Sequence, residues 1–238
     1  MKKEKIIEIF EMLRRLYPNP KPALDHKDAF TLLIAVILSA QCTDERVNKV
    51  TPNLFPKYDS PEKILELGIE KLKEIIHSCG FFNAKAGSII GMCHGLLENH
   101  NGQVPSTLDE LIKLPGVGRK TASVVLCQWF KVPTVPVDTH VHRITNRLGL
   151  VKTKTPEKTE FAFRKVVPEK YWIDGHLQII FHGRQTCISR KPKCSECALK
   201  DLCEWVEKER YGLLAALIFQ IEKCNAFIWD YMFFSKQG

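Results

Sequence analysis

The chain contains no apolar run of membrane-spanning length, no convincing period-two strand pattern and no clean secretory leader. Its longest early apolar stretch runs from Ala29 to Ala40, with Thr31 and Ser39 inside it. A membrane span needs about 20 apolar residues, so this shorter stretch reads as a central core helix. Met1-Lys2-Lys3-Glu4-Lys5 leads into a charge-interrupted amphipathic segment rather than an apolar leader core. Acid is also scarce: 27 Asp and Glu face 35 Lys and Arg, a net charge of +8 over 238 residues. That balance points to a polyanionic partner, most simply nucleic acid, although a solvated basic surface has the same composition. The nine cysteines lack the even spread of a disulfide framework, since four crowd toward the C-terminus and five are scattered. A reducing cytoplasm with one Cys-ligated metal site accounts for that usage.

Helical periods dominate the rest. From Ile6 to Leu16 apolar residues return every three or four positions, and Pro18, Pro20 and Pro22 then stop the helix. Phe30–Ser39 follows, and Thr43 or Asp44 can cap the next helix. Ser60-Pro61-Glu62 is a start signal, with a cap, proline at the first helical position and acid in the first turn. Ile69–Ile76, Asn83–Leu97 and Leu108–Lys113 read as further helices. In Arg119–Phe130, Ala122, Val125, Leu126 and Trp129 are expected to face inward. Thr155-Pro156-Glu157 opens one more helix, and Ile173–Gly183 reads as another. With no strand pattern and no long internal repeat, the expected class is all-α. Residues 212–238 form an apolar extension interrupted by polar residues, readable as an appended helix or as a partner-binding or membrane-surface segment.

Cys187, Cys194, Cys197 and Cys203 stand in the spacing C-x6-C-x2-C-x5-C. Four thiolates within so short a span can surround one metal centre, either zinc or a cubic [4Fe-4S] cluster. The loop inside the first spacing carries Arg190, Lys191 and Lys193. Those cations can offset the thiolates, grip phosphates, or do both.

The most informative local feature is Leu114-Pro115-Gly116-Val117-Gly118-Arg119-Lys120. Pro115 ends one helix, while Gly116 and Gly118 permit backbone angles closed to other residues. Successive amides ahead of a new helix make an anion-binding concavity, and Arg119 continues it with positive charge. Lys120 can act as a phosphate contact. Nucleophilic use requires the neutral amine, against a free-lysine pKa near about 10.4. A helix N-terminus and burial both oppose the ammonium there. A neutral amine can attack an anomeric carbon, expel a base and leave an imine. Asp138, in Val137-Asp138-Thr139-His140, can move a proton, stabilise positive charge developing on the sugar, or simply cap the following helix.

The Leu114–Ala122 turn, the Val137–His140 motif and the four-cysteine spacing together resemble the endonuclease III family of DNA glycosylases. Leu38–Asp44 and Gly80–Ala86 are similar to further family segments, and the likeness runs from about residue 1 to 210 in family order. The resemblance implies a helix-hairpin-helix glycosylase with a [4Fe-4S] cluster held by Cys187, Cys194, Cys197 and Cys203. It implies removal of oxidised pyrimidines from duplex DNA and strand cleavage by β-elimination. Lys120 matches the Schiff-base nucleophile and Asp138 the catalytic acid residue. Because a base must leave the stack, the gap needs filling. Gln41 matches the inserted polar side chain, while Phe81 or Phe82 stands where an apolar wedge is expected, with core packing as the alternative for each. His140 is a further match, near DNA or the active site, with a satisfied core histidine as the alternative. Lys120 also separates the chain from adenine-mismatch glycosylases, which resemble it but lack that lysine. Ile112 departs from the family pattern at a place where some members carry a polar residue near the lesion pocket.

These readings imply two helical domains: a helical barrel with the hairpin over residues 22–134, and a cluster domain built from residues 1–21 plus 135–211. The expected partner is duplex DNA holding damaged pyrimidines or abasic sites, met by a monomer in a bacterial-type cytoplasm, at the nucleoid. A non-catalytic damage-binding protein on the same scaffold is the competing reading. A redox-sensing module is a third.

Overall fold

The structure is a computed structural model and describes residues 1–206. The apolar extension expected over 212–238 lies outside the described residues. Eleven α-helices and no strand occur among the described residues. They are α1 (Lys3–Leu16), α2 (Ala29–Ser39), α3 (Asp44–Val50), α4 (Pro61–Leu67), α5 (Ile69–Ile76), α6 (Phe82–His100), α7 (Leu108–Leu111), α8 (Arg119–Gln128), α9 (Thr139–Leu148), α10 (Pro156–Val166) and α11 (Trp172–Gln185). The all-α expectation holds, and no helix among the described residues is long and apolar enough to cross a membrane.

Local chemistry explains most of the starts. Asp28 and Thr31 form a reciprocal capping box for α2. The Asp28 carboxylate accepts the Thr31 amide at 2.7 Å. Ser60, Thr107 and Thr155 cap α4, α7 and α10, and α4 and α10 carry proline in the first turn. Of the two possible caps for α3, Thr43 serves, accepting from the Arg46 amide at 3.2 Å. Gly68, at φ +78°, divides α4 from α5.

Two apolar cores result. The first surrounds α2, whose residues Phe30 to Leu38 are all buried, and it takes in α3 to α8. The second is formed by α1 with the chain after Val135; α11 packs on α9 and α1. Inside it Phe10 stacks on Tyr171 at 5.1 Å and meets Phe163 edge-on at 5.8 Å, both favoured arrangements of aromatic rings. The cores meet along a seam tied by polar contacts. Arg119 forks onto the Glu160 carboxylate at 3.0 Å and 2.8 Å, the two-pronged geometry that makes such pairs strong. Arg184 pairs with Asp44 at 2.7 Å.

The structure departs from the sequence reading at Trp129 and at two helix ends. Helix α8 stops at Gln128, and Trp129 is 40% exposed, its ring edge against His26, instead of facing inward. The chain reverses there through Lys131 at φ +57°, with the Val132 amide closing back onto the Leu126 carbonyl. Helix α7 ends at Leu111, short of the expected Lys113.

Candidate active site

The turn from Leu114 to Gly118 is seated on α6. A Cβ on Gly91 or Gly95 would come within 3.0 Å of Pro115 or Leu114, so these small residues let the turn lie close to the helix. Gly116 has φ +74°, and a Cβ there would stand 2.4 Å from the Cβ of Ser88. It therefore needs glycine on both conformational and steric grounds. Gly118 is different: its φ is −81° and no heavy atom lies within 4 Å of its would-be Cβ. The expectation that both glycines serve unusual backbone angles thus holds for Gly116 alone. No side chain caps α8, so its first amides face outward beside Arg119 and Lys120.

Asp138 caps α9, its Oδ1 accepting the Val141 amide at 2.7 Å. Lys120 and Asp138, placed by the first turn of one helix and the cap of the next, line a single cavity of about 240 Å³ between the cores. Gln41, Asp44, His176 and Arg184 line it too. Lys120 is exposed at this cavity, so the burial anticipated for it is not found. His176 is buried, with its Nδ1 at 3.0 Å from the Trp172 carbonyl. Burial pushes its pKa down, favouring the neutral ring.

Two exposed tips share a left-handed backbone. Gln41 follows α2 at φ +51°, and Phe81 precedes α6 at φ +58°. Left-handed geometry in residues that are not glycine costs energy, and it holds both side chains out of the helices beside them. Phe81 is 68% exposed, whereas Phe82 is half-buried, packing against the first core and against His77 at 4.9 Å. The structure thus separates the two phenylalanines that the sequence left equivalent.

Other expected positions lie elsewhere. Arg119 is committed to Glu160 and covers the Phe161 ring at 5.0 Å. His140 is half-buried beside Arg143 and Gly183, outside the lining of the cavity, and burial pushes its pKa down. Ile112 is 44% exposed and also outside that lining. Arg190, Lys191 and Lys193 are exposed or nearly so. Sequence reasoning missed Asp44, His176 and Arg184. Asp44 was visible as a charge beside Gln41 but was read only as a cap, and the other two carried no local signal.

Cys187, Cys194, Cys197 and Cys203 line one further cavity, together with His182 and Trp205. Burial pushes the Cys197 and Cys203 thiols up, so their thiolates need a positive centre among them. Arg147 supports the arrangement, donating to the Cys187 sulfur at 3.4 Å and to the Ile188 and Ser189 carbonyls at 2.9 Å each. Among the described residues no three His, Cys, Asp or Glu side chains form a group able to hold a single ion. A four-thiol set around one cavity fits a cluster whose irons each take a separate sulfur.

An all-helical body whose glycine hairpin places a lysine in the lining of a cleft that a helix-capping aspartate also lines is that of a helix-hairpin-helix base-excision protein. Residues 34–169 match the HhH-GPD superfamily of base excision DNA repair proteins. The chain is 49% identical over 211 residues to endonuclease III of Haemophilus influenzae, covering 89% of this chain and 100% of that one. It is 49% identical over 208 residues to endonuclease III of Escherichia coli K12, covering 87% and 99%. The fold superposes with a TM-score of 0.83 on a trapped endonuclease III–DNA covalent intermediate, at 41% identity over 88% of this chain and 99% of that one. The chain belongs to the endonuclease III family of DNA glycosylase/AP lyases.

Proposed function

We propose that the protein excises oxidised pyrimidines from duplex DNA and then cuts the strand, with Lys120 as nucleophile and Asp138 as its partner. The observation that carries this reading is the convergence of Lys120, Asp138 and Gln41 on one cavity between two helix N-termini. An extruded nucleotide enters that cavity, and its 5′ or 3′ phosphate meets the uncapped amides of α8. The neutral Lys120 amine bonds to the anomeric carbon as the glycosidic bond breaks, its electron pair leaving with the base, which takes up a proton. Asp138 stabilises the positive charge on the sugar and handles the proton. Ring opening leaves an imine, and loss of the adjacent sugar proton expels the 3′ phosphate by β-elimination. Gln41 and Phe81 fill the gap left in the stack. A non-catalytic damage binder would have no use for the lysine and carboxylate meeting in one cavity.

The cysteine set supports a [4Fe-4S] cluster held by Cys187, Cys194, Cys197 and Cys203. No step above changes oxidation state, so its work is structural, fixing the basic loop that carries Arg190, Lys191 and Lys193. The two apolar cores support division into domains 22–134 and 1–21 with 135–211. Action as a monomer on abasic or pyrimidine-damaged duplex DNA, in a bacterial cytoplasm, completes the reading.

Borohydride trapping tests it. The intact protein is expected to form a covalent complex with lesion-containing duplex, across a panel of oxidised pyrimidines and abasic sites. Equal trapping by Lys120→Ala, or no trapped species from the wild type, would refute the assignment.

A further inference from the structure

Two cysteines outside the metal-site quartet lie between the gap-filling loops. Cys42 follows Gln41, is half-buried, and its amide donates to the Ser39 carbonyl at 3.1 Å. Cys79 ends the α5 turn, is fully buried, and its amide donates to the Ile76 carbonyl at 2.8 Å. The Cys42 thiol stands near enough to act on the Cys79 sulfur. The backbones beside them also touch, since a Cβ on Gly80 would lie 3.6 Å from the Gln41 carbonyl oxygen. Between the loops lies the buried Lys85, whose Nζ donates to the Leu38 carbonyl at 2.7 Å and whose charge acts on both sulfurs. By contrast Cys93 and Cys127 are buried thiols pushed up to about 12 by burial, the profile of inert core cysteines.

We propose that Cys42 and Cys79 form a reversible disulfide under a two-electron oxidant such as a peroxide, and that this bond disables the loops carrying Gln41 and Phe81. Cys42, the half-exposed member, reacts first. Its thiolate attacks the peroxide O–O bond, giving a sulfenic acid and one water. The Cys79 sulfur then attacks the sulfenic sulfur, forming the S–S bond and expelling a second water. Two thiols have lost two hydrogens and two electrons, and the peroxide has been reduced; thiol exchange reverses the change. Cys79 suits the resolving role because burial, then its Cys42 neighbour, holds its thiol at about 11, protonated until a partner arrives. An S–S bond of about 2.0 Å is much shorter than a non-bonded approach of two thiols, so closing it draws the two tips together. The effect on DNA rests on the glycosylase reading; formation of the bond does not.

The test treats the reduced full-length protein with diamide, whose azo bond takes up the two hydrogens, and compares it with Cys42→Ser and Cys79→Ala. Non-reducing peptide mapping is expected to show a Cys42–Cys79 crosslink in the wild type and in neither variant. Incision of lesion duplex is expected to fall about ten- to a hundredfold, the scale on which a displacement of about 1 Å costs an enzyme. Dithiothreitol should restore it. Cys42→Ser, at a half-exposed site that tolerates the change, should incise normally before and after treatment. Absence of the crosslink, a crosslink without loss of incision, or an equal loss in Cys42→Ser would overturn the proposal. An untreated wild type that fails to incise would instead refute the glycosylase reading, with the peptide map still deciding the disulfide.

Discussion

At Asp138 one carboxylate oxygen accepts the Val141 amide, and the second is left for the cavity that the residue lines. The structural and chemical roles therefore sit on different atoms and can be separated by substitution. Asn caps a helix about as well as Asp, so Asp138→Asn should keep α9 intact. It cannot carry the charge, and base release is expected to slow by about a hundredfold or more, while DNA affinity stays near wild type. Asp138→Ala should lose both roles, adding a stability loss of about 1 kcal/mol in urea unfolding. Single-turnover excision alongside binding titrations separates these outcomes. A fall in affinity matching the fall in rate for Asp138→Asn would show that the residue serves mainly to hold the site together.

The hairpin shows at the level of elements why two glycines of one motif are required for different reasons. Gly116 is required by the fold, given its φ of +74° and the Ser88 side chain against it. Gly116→Ala should destabilise by about 2–4 kcal/mol, combining left-handed strain with overpacking. Adding Ser88→Gly should recover the overpacking part and leave the strain. Gly118 has ordinary angles and open space where its Cβ would stand. Gly118→Ala should therefore fold like wild type and, on the proposed phosphate contact, bind duplex more weakly. Equal binding by the two would remove Gly118 from the DNA contact set. Features of this local kind were legible in the sequence: Ser60-Pro61, Thr155-Pro156, the glycine turn and Asp138 each work through neighbours a few residues away. The end of α8 was not, because Trp129 meets His26, far back in the chain, and not the core. Nor was the Asp44–Arg184 pair, whose partners stand 140 residues apart. Nor was the burial of Lys85, since only the fold brings the Leu38 carbonyl to it.

Across the whole molecule, two ion pairs, Arg119–Glu160 and Asp44–Arg184, join the cores, and the second of them lines the cavity that holds Lys120. Each pair sets an arginine against a carboxylate and so adds nothing to the net charge of +8. The exposed cations of residues 188–193 are differently placed. Their loop is held from beneath by Arg147, through the Ile188 and Ser189 carbonyls, and by the Lys193 amide on the Thr186 carbonyl at 3.0 Å. A loop fixed in this way presents Arg190, Lys191 and Lys193 without the entropic cost of ordering them on binding. If they contact phosphates, each should contribute about 0.9 to the slope of log affinity against log salt. Replacing all three with alanine is expected to flatten that slope by up to about 2.7 units when duplex binding is titrated from about 50 to 200 mM salt. Arg119→Ala, by comparison, should leave the slope nearly unchanged and lower stability, because its guanidinium already has a carboxylate partner. A triple variant with the wild-type slope but a labile cysteine site would assign the three charges to the thiolates beside them, and would move the DNA footprint back to the hairpin and the cleft.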